Sequence, residues 1–171
     1  EVKNKTAPVT GQQDQNAISL DLMNRMKLHG MGQGFQESLA GTTPQSMTAD
    51  TFLSMLLARE WDYRAQAAIA RLTKNAAFRY KAYIEQIDYA TTGLDRNQME
   101  RLATLDFVHK AQNLFITGSS GTGKSYLACA LGHEACKRGF RTFYANAPKL
   151  PGALKVAKVK GTLETELKKI E

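Results

Sequence analysis

Cysteine and long apolar runs are scarce in this chain of 171 residues, and each scarcity excludes a class of protein. The two cysteines, Cys129 and Cys136, fall on one predicted helix. A rise of about 1.5 Å per residue separates them by ~10 Å, which is too far for a disulfide. No apolar run approaches the length of a membrane span, and the first residues contain no hydrophobic segment typical of a secretory signal. We therefore expect a cytoplasmic protein with no membrane partner.

The helix that carries both cysteines also carries His133, and the three side chains share one face. Three ligands on a single straight helix cannot surround a zinc ion, and no fourth ligand lies nearby in the sequence. Cysteines on a helix face more often pack in a core. The pattern favours helix packing over a metal site.

Basic residues outnumber acidic ones by 23 to 16, which gives a net charge of +7. Such an excess favours an acidic partner, and nucleic acid is the commonest one. Apolar residues make up 43% of the chain, as in an ordinary globular protein. The length is enough for one or two domains.

The most specific motif lies between Asn113 and Ser125. The segment 118–125 reads Gly-Ser-Ser-Gly-Thr-Gly-Lys-Ser and fits the phosphate-binding pattern G-x-x-x-x-G-K-[ST] at every fixed position. A short apolar run over 114–116 predicts a buried strand before it, and the residues after Ser125 predict a helix. Strand, glycine loop and helix in this order are the context in which the motif binds phosphate.

The residue types of the loop suit phosphate chemistry. Glycine lets consecutive backbone N–H groups point into one concavity, and the following helix adds its positive dipole end. We expect Lys124 to contact the β- and γ-phosphates and Ser125 to be a ligand of Mg²⁺. The predicted nucleotide-binding residues are Gly118, Ser119, Ser120, Gly121, Thr122, Gly123, Lys124, Ser125 and Tyr126.

Before this loop the chain reads as helical. Residues 1–15 are polar and predict a disordered tail, and residues 16–82 predict a helical domain. We interpret residues 29–34, which contain three glycines, as a break between helices. The longest helix is predicted from Thr48, a good N-cap, to about Asn75, with an apolar stripe over 52–61.

Basic residues gather in the second half of that helix and just beyond it, with aromatic residues between them. They include Arg64, Arg71, Lys74 and Arg79. Such a segment can bind nucleic-acid phosphates, with aromatic rings available for stacking. A solvated helix face with extended arginines explains the same pattern. The residues alone do not decide between these two readings.

On both sides of the loop the sequence predicts further helices, and after it a second strand. Asp95 caps a helix before the loop, and the helix after the loop ends at Gly139. A second strand is predicted over 141–145. A further helix is interrupted by Pro151-Gly152, and Thr162 caps the last one.

These motifs together resemble the IstB family of insertion-sequence transposition helper ATPases, close to the DnaC helicase-loader branch of AAA+ proteins. The resemblance rests on residues 102–108, on the loop with Ser125-Tyr-Leu-Ala after it, and on residues 139–144. It implies an α/β fold in which a helical DNA- and partner-binding domain precedes a P-loop ATPase domain over residues 83–171. That second domain is incomplete, because an AAA+ αβα sheet has later strands that this sequence does not contain.

The same resemblance implies ATP and Mg²⁺ as cofactors, and double-stranded DNA, a transposase and further copies of the chain as partners. It assigns DNA contacts to Arg64, Arg71, Lys74 and Arg79. No apolar strand followed by Asp or Glu occurs between Lys149 and Glu171, so the Walker B motif is absent, as are the sensor and the arginine finger. Hydrolysis needs groups that orient the metal and water, so we predict ATP binding with negligible turnover.

Two other functions fit the same residues. The chain could be a replicative helicase loader, whose motifs overlap with those above and whose partner is a helicase. Alternatively, it could be a DNA-binding module in which the phosphate loop is vestigial. Binding to DNA that ignores ATP would distinguish the last reading.

Overall fold

The computed structural model describes residues 10–41 and 47–170, and helices dominate this part of the chain. They are α1 (Thr10–Arg25), α2 (His29–Leu39), α3 (Ala49–Ala76), α4 (Tyr89–Thr92), α5 (Arg96–Ala103), α6 (Asp106–His109), α7 (Lys124–Lys137), α8 (Leu150–Val159) and α9 (Leu163–Leu167). None of these helices is long and apolar enough to cross a membrane. The tail predicted through residue 15 overlaps α1, and its first nine residues lie outside the described ones.

The chain divides into two compact units between Ala67 and Ala68, a point that lies within α3. In the first unit, α1 packs against α2. In the second, α7 packs against α5 and a 3-10 turn at Ile84–Gln86, α5 packs against α6, and α8 against α9. The boundary that the sequence suggests near residue 82 remains a prediction.

The two strands predicted from the sequence do not form. Residues 113–117 and 141–145 have no regular secondary structure, and Phe115 is 84% exposed instead of buried. A strand needs a neighbouring segment to take up its backbone hydrogen bonds. Neither segment pairs in a ladder with any other part of the described chain. The predicted αβα layering is therefore not confirmed.

The glycine-rich segment 29–34 is helical, so the prediction of a break there is wrong. It forms the first half of α2, and the chain turns just before it, at residues 26–28. Gly30 lies so close to α3 that an added Cβ would sit 2.4 Å from the backbone oxygen of Arg59. This close packing between helices outweighs the low helix propensity of glycine.

A buried carboxylate fixes the beginning of α2. Glu60 of α3 is 6% exposed, and its Oε2 accepts hydrogen bonds from the backbone N–H groups of Gly30 (2.8 Å) and Met31 (3.2 Å). Its Oε1 accepts one from the Nε of Arg64 at 2.7 Å. Burial raises the pKa of Glu60, but these hydrogen bonds outweigh burial and the net pKa lies below the ordinary value.

The apolar residues of α3 occupy two faces instead of the single predicted stripe. Leu56 is 5% exposed and lies beside Gly34 of α2. By contrast Leu53, Leu57 and Trp61 are 54%, 55% and 76% exposed. The predicted start of this helix is confirmed, because the hydroxyl of Thr48 accepts a hydrogen bond from the N–H of Thr51 at 3.4 Å.

In the second unit two predicted helix ends are confirmed, whereas the Thr162 side chain does not cap α9 and one predicted interruption is wrong. Asp95 caps α5 by accepting from the N–H of Asn97 at 2.9 Å. Gly139 follows α7 with φ +86°. Pro151, however, lies in the first turn of α8 and does not break it, because proline lacks only an N–H that a first turn leaves unpaired.

Substitution of Gly30 by Ala is expected to destabilise the first unit by about 1–3 kcal/mol, because the new methyl group would meet a backbone atom that cannot rotate away. Urea unfolding followed by the loss of helical circular dichroism measures the change. The matched control is Gly32→Ala, where an added Cβ has no neighbour within 4 Å. It should be neutral or stabilising, and an equal loss in both variants would contradict the packing argument.

Substitution of Glu60 by Gln is expected to cost about 1–3 kcal/mol near neutral pH, because an amide cannot accept all three hydrogen bonds. The pKa of Glu60 is lower in the folded chain than the ordinary value of 4.5. Its contribution is therefore complete above that value and disappears as pH falls through the folded pKa. Unfolding measured from about pH 7 to about pH 3 should show the gap between variant and parent closing in acid. A gap that stays constant would mean that the charge has no role.

Candidate functional site

The loop between residues 118 and 125 has the backbone shape that its glycines allow. Gly118, Gly121 and Gly123 have φ values of +150°, +82° and +80°, which side chains other than hydrogen rarely tolerate. Gly123 is the N-cap of α7, and no side chain caps that end. The first N–H groups of α7 therefore need an acceptor from outside the helix.

Two side chains of the loop turn inward to one carbonyl. The hydroxyl of Thr122 donates a hydrogen bond to the backbone oxygen of Ser119 at 2.9 Å, and the Nζ of Lys124 donates to the same oxygen. The ammonium group is thus held over the loop, where the positive end of α7 also lies. This arrangement concentrates positive charge at one point of the second unit.

The loop opens onto a cavity of about 330 Å³. Six of the nine predicted nucleotide-binding residues line it, namely Gly118, Ser119, Thr122, Gly123, Lys124 and Tyr126. Ser120, Gly121 and Ser125 are exposed beside it and do not line it.

The opposite wall comes from a segment that sequence reasoning missed. The residues concerned are Gln86, Ile87, Asp88, Thr92 and Leu94. The apolar Ile87 and Leu94 in a mostly polar stretch were the available signal. With Ile116 and Leu127 they give the cavity an apolar side next to the charged loop. A ligand with a flat apolar part and a charged part would match both sides.

This wall is held against α7 by aromatic contacts. The rings of Phe78 and His133 lie 4.3 Å apart, and an added Cβ on Gly132 would sit 2.5 Å from the Phe78 ring. The Nε2 of His133 lies 3.3 Å from the backbone oxygen of Tyr80. The glycine in α7 therefore makes room for the chain that leads to the cavity wall.

An ion pair holds the same segment at the other end of α7. The Nζ of Lys137 lies 2.8 Å from Glu85, next to the cavity-lining Gln86, and 3.2 Å from Glu134. The hydrogen bond from Lys137 lowers the pKa of Glu85, and the same bond raises the pKa of Lys137. Both groups thus stay charged at neutral pH, and the ion pair persists.

The four predicted DNA contacts do not lie in one unit. Arg64 belongs to the first unit and pairs with Glu60. Arg71, Lys74 and Arg79 belong to the second unit and are exposed, and the guanidinium of Arg79 lies 5.2 Å from the ring centre of Tyr80. The second unit therefore presents three of them together with the loop.

The helix face with two cysteines and a histidine is a packing face, as predicted. Cys129 and Cys136 are fully buried and form no disulfide, and His133 is 4% exposed. Cys129 packs with Ala82 and Ala130 in the core of the second unit. This core supports the start of α7, because Tyr126 packs against it.

Comparison with known proteins agrees with the loop geometry. The family described as IstB-like ATP binding protein matches residues 21–171. The protein y4pL of Sinorhizobium fredii (strain NBRC 101917 / NGR234), named as an insertion-sequence ATP-binding protein, is 37% identical over 84% of this chain and 59% of its own length. Proteins named in the same way from IS1162 of Pseudomonas fluorescens and IS21 of Pseudomonas aeruginosa are 32% and 30% identical. They match 89% and 87% of this chain, and 67% and 57% of their own lengths.

The chain spans between 57% and 67% of the length of these relatives. The matched part contains the whole loop, both walls of the cavity and all four predicted DNA contacts. On this evidence the chain belongs to the family of IstB-like ATP-binding proteins of insertion sequences.

Proposed function

We propose that this protein binds ATP with Mg²⁺ and assists DNA transposition. The observation that carries the proposal is the loop over residues 118–125, which lies at the uncapped end of α7 and opens onto a cavity with one apolar side. The family membership and the insertion-sequence names of the relatives support the same function.

In this proposal the phosphates bind at the loop and the base binds the apolar side. Backbone N–H groups from Gly121 to Ser125 face the phosphate oxygens, as in other phosphate-binding loops. Lys124 exchanges the carbonyl of Ser119 for the β- and γ-phosphates, and Ser125 is the protein ligand of Mg²⁺. Ile87 and Leu94 then contact the adenine ring.

DNA binds in this proposal to the basic helical region 16–82, and residues 83–171 hold the nucleotide. Arg71, Lys74 and Arg79 are exposed, as contacts to phosphates must be. Arg64 is 61% exposed despite its bond to Glu60. The partner protein is a transposase instead of a helicase, because the relatives are named for insertion sequences. Further copies of the chain complete the assembly.

Substitution of Lys124 by Ala should weaken ATP binding by about 10- to 100-fold, the effect of removing a charge-assisted hydrogen bond. Titration calorimetry with ATP and Mg²⁺ measures this loss. Phosphate release by the parent chain should stay near background, because the sequence lacks a recognisable Walker B strand. If the parent chain released phosphate and the Lys124→Ala variant did not, the predicted lack of hydrolysis would be wrong. The same result would support the nucleotide-binding role of the loop.

Two glycines provide a control that separates binding from stability. Gly121 in the loop and Gly139 after α7 have φ values of +82° and +86°, and an added Cβ has no neighbour within 4 Å at either position. Alanine should therefore strain both positions to a similar extent. Only Gly121→Ala should reduce ATP affinity. Equal affinity losses in both variants would mean that general destabilisation explains the effect.

Substitution of Arg71 and Lys74 together by Ala should weaken binding to double-stranded DNA and reduce the slope of log K against log salt by about 2, one for each phosphate contact. Filter binding at several salt concentrations measures both quantities. The matched control replaces Lys155 and Lys158, an exposed pair with the same spacing on α8. Equal effects of the two pairs would assign the binding to net charge and not to α3.

A further inference from the structure

The first unit contains a cavity of its own, and no part of the proposed function uses it. Its volume is about 210 Å³, and α1, α2 and α3 all contribute to its walls. The residues that line it are Leu20, Asn24, His29, Gly32, Gln33, Gln36 and Tyr63. Cavities that hold drug-sized ligands are larger, at about 300–1,000 Å³. The space therefore suits one small chemical group.

The face of α2 that lines this cavity is polar. Counted from His29, its lining residues recur at positions i, i+3, i+4 and i+7, which places them on one side of the helix. A helix face that packs between other helices normally carries apolar residues at this spacing. The side chains of Asn24, Gln33 and Gln36 have no hydrogen-bond partner within residues 10–41 and 47–170. Three amides thus line the cavity with unused donors and acceptors.

A missing side chain leaves the cavity open. Gly32 is buried, yet a Cβ added there would have no neighbour within 4 Å. Gly30, two residues earlier, packs so closely on α3 that an added Cβ would collide with it. The cavity is therefore a defined gap beside close helix packing.

Aromatic rings form another part of the wall. The ring centres of His29 and Tyr63 lie 5.6 Å apart, and their planes are tilted by 55°. Rings of this kind stack on nucleobases. No Asp, Glu, Lys or Arg occurs among the described residues that line the cavity, so neither a metal cation nor an isolated phosphate would meet an opposite charge. A neutral, flat group with donors and acceptors matches this lining.

We propose that this cavity binds a single unpaired base of DNA. An amide side chain matches the edge of adenine, where a hydrogen-bond donor lies next to an acceptor. Gln33 and Gln36 hydrogen-bond to that edge, and the ring of Tyr63 lies against the face of the base. Asn24 completes the set from α1. The lining thus provides both parts of base recognition, hydrogen bonds and stacking.

A cation next to the cavity suits the phosphate of the same nucleotide. Lys27 lies in the turn between α1 and α2, and its backbone N–H donates to the carbonyl of Asn24 at 3.0 Å. The Lys27 side chain is exposed and has no partner among the described residues. A neutral peptide segment would use the amides equally well, but not the ring pair or the neighbouring positive charge. Nucleic acid therefore fits the surroundings better than a peptide.

This site depends on the proposed DNA binding and adds a preference to it. Its residues belong to the first unit, whereas Arg71, Lys74 and Arg79 belong to the second. A base that is already unpaired costs little to place in a pocket, but a paired base must first leave the stack. The chain should therefore bind distorted DNA more tightly than a regular duplex.

Titration with deoxyadenosine, which has no phosphate, tests the cavity without the basic residues. Proton NMR can follow the rings of the three histidines, His29, His109 and His133. The His29 resonance should shift until the site is saturated, whereas His109 and His133, which line neither cavity, should change little. The Lys124→Ala variant should give the same His29 shift, which separates this site from the ATP site. No shift at His29, or equal shifts at all three rings, would overturn the proposal.

Three otherwise identical duplexes test the preference of the full chain. One is fully paired, one has a single bulged adenine, and one has an abasic residue in the bulge. The adenine bulge should bind about 10-fold more tightly than the other two, the effect of one base stacked on an aromatic ring. Equal affinity for the adenine and abasic bulges would mean that only DNA shape is read, and would overturn this proposal alone. Absence of binding to all three would overturn the proposed DNA binding and this site with it.

Two sets of variants locate the preference. Gly32→Leu should fill the cavity without removing a polar group, and it should abolish both the adenine preference and the His29 shift. Gln33→Ala combined with Gln36→Ala should reduce the preference, and the matched control is Gln66→Ala, an exposed glutamine on α3 that does not line the cavity. Affinity for the paired duplex and helical circular dichroism should be unchanged in all of them. A preference that survives both sets, or is lost equally in the control, would overturn the proposal.

Discussion

The backbone N–H groups at the beginning of a helix need acceptors, and this requirement organises both units of the chain. In the first unit the carboxylate of Glu60 meets it for α2, across 30 residues of sequence from Gly30. In the second unit Gly123 caps α7 without a side chain. One helix start is thus closed by the protein itself, and the other is left open toward a cavity. The N–H groups at the beginning of α2 stabilise the fold by bonding to Glu60, and those at the beginning of α7 are available to a ligand.

The open end of α7 is useful only because the rest of that helix is firmly packed. Gly132 admits the ring of Phe78, and Lys137 pairs with Glu85. These contacts hold the segment that begins at residue 78 along α7, so that Ile87 and Leu94 reach the cavity opposite the loop. A preformed wall lowers the entropic cost of ligand binding, because fewer side chains of the protein must be ordered.

Local sequence predicted those features whose cause is local. The loop, the cap at Asp95 and the helix end at Gly139 depend on residues within a few positions of each other. The helix over residues 29–34 was not predictable in this way, because Glu60 and the backbone of Arg59 stabilise it from a distance. The two predicted strands do not form, because a strand needs a pairing partner that is distant in sequence. No such partner is present in the described chain.

The apolar residues of α3 show a different limit of sequence patterns. Periodicity identified an apolar helix but not which apolar residues lie inward, because α3 has two apolar faces and only one of them meets α2.

The proposed DNA-binding and nucleotide-binding residues of the second unit are linked by direct contacts. Arg79 lies over the ring of Tyr80, and Tyr80 lies 6.3 Å from the ring of Tyr126, which follows Ser125 in the loop. A ligand that displaces Tyr126 therefore changes the surroundings of Arg79. Coupling between two sites requires a contact that exists in two arrangements, each favoured by one ligand. An aromatic pair with exposed Tyr80 on one side and half-buried Tyr126 on the other has more room for such a rearrangement than the tilted ring contact of Phe78 with buried His133.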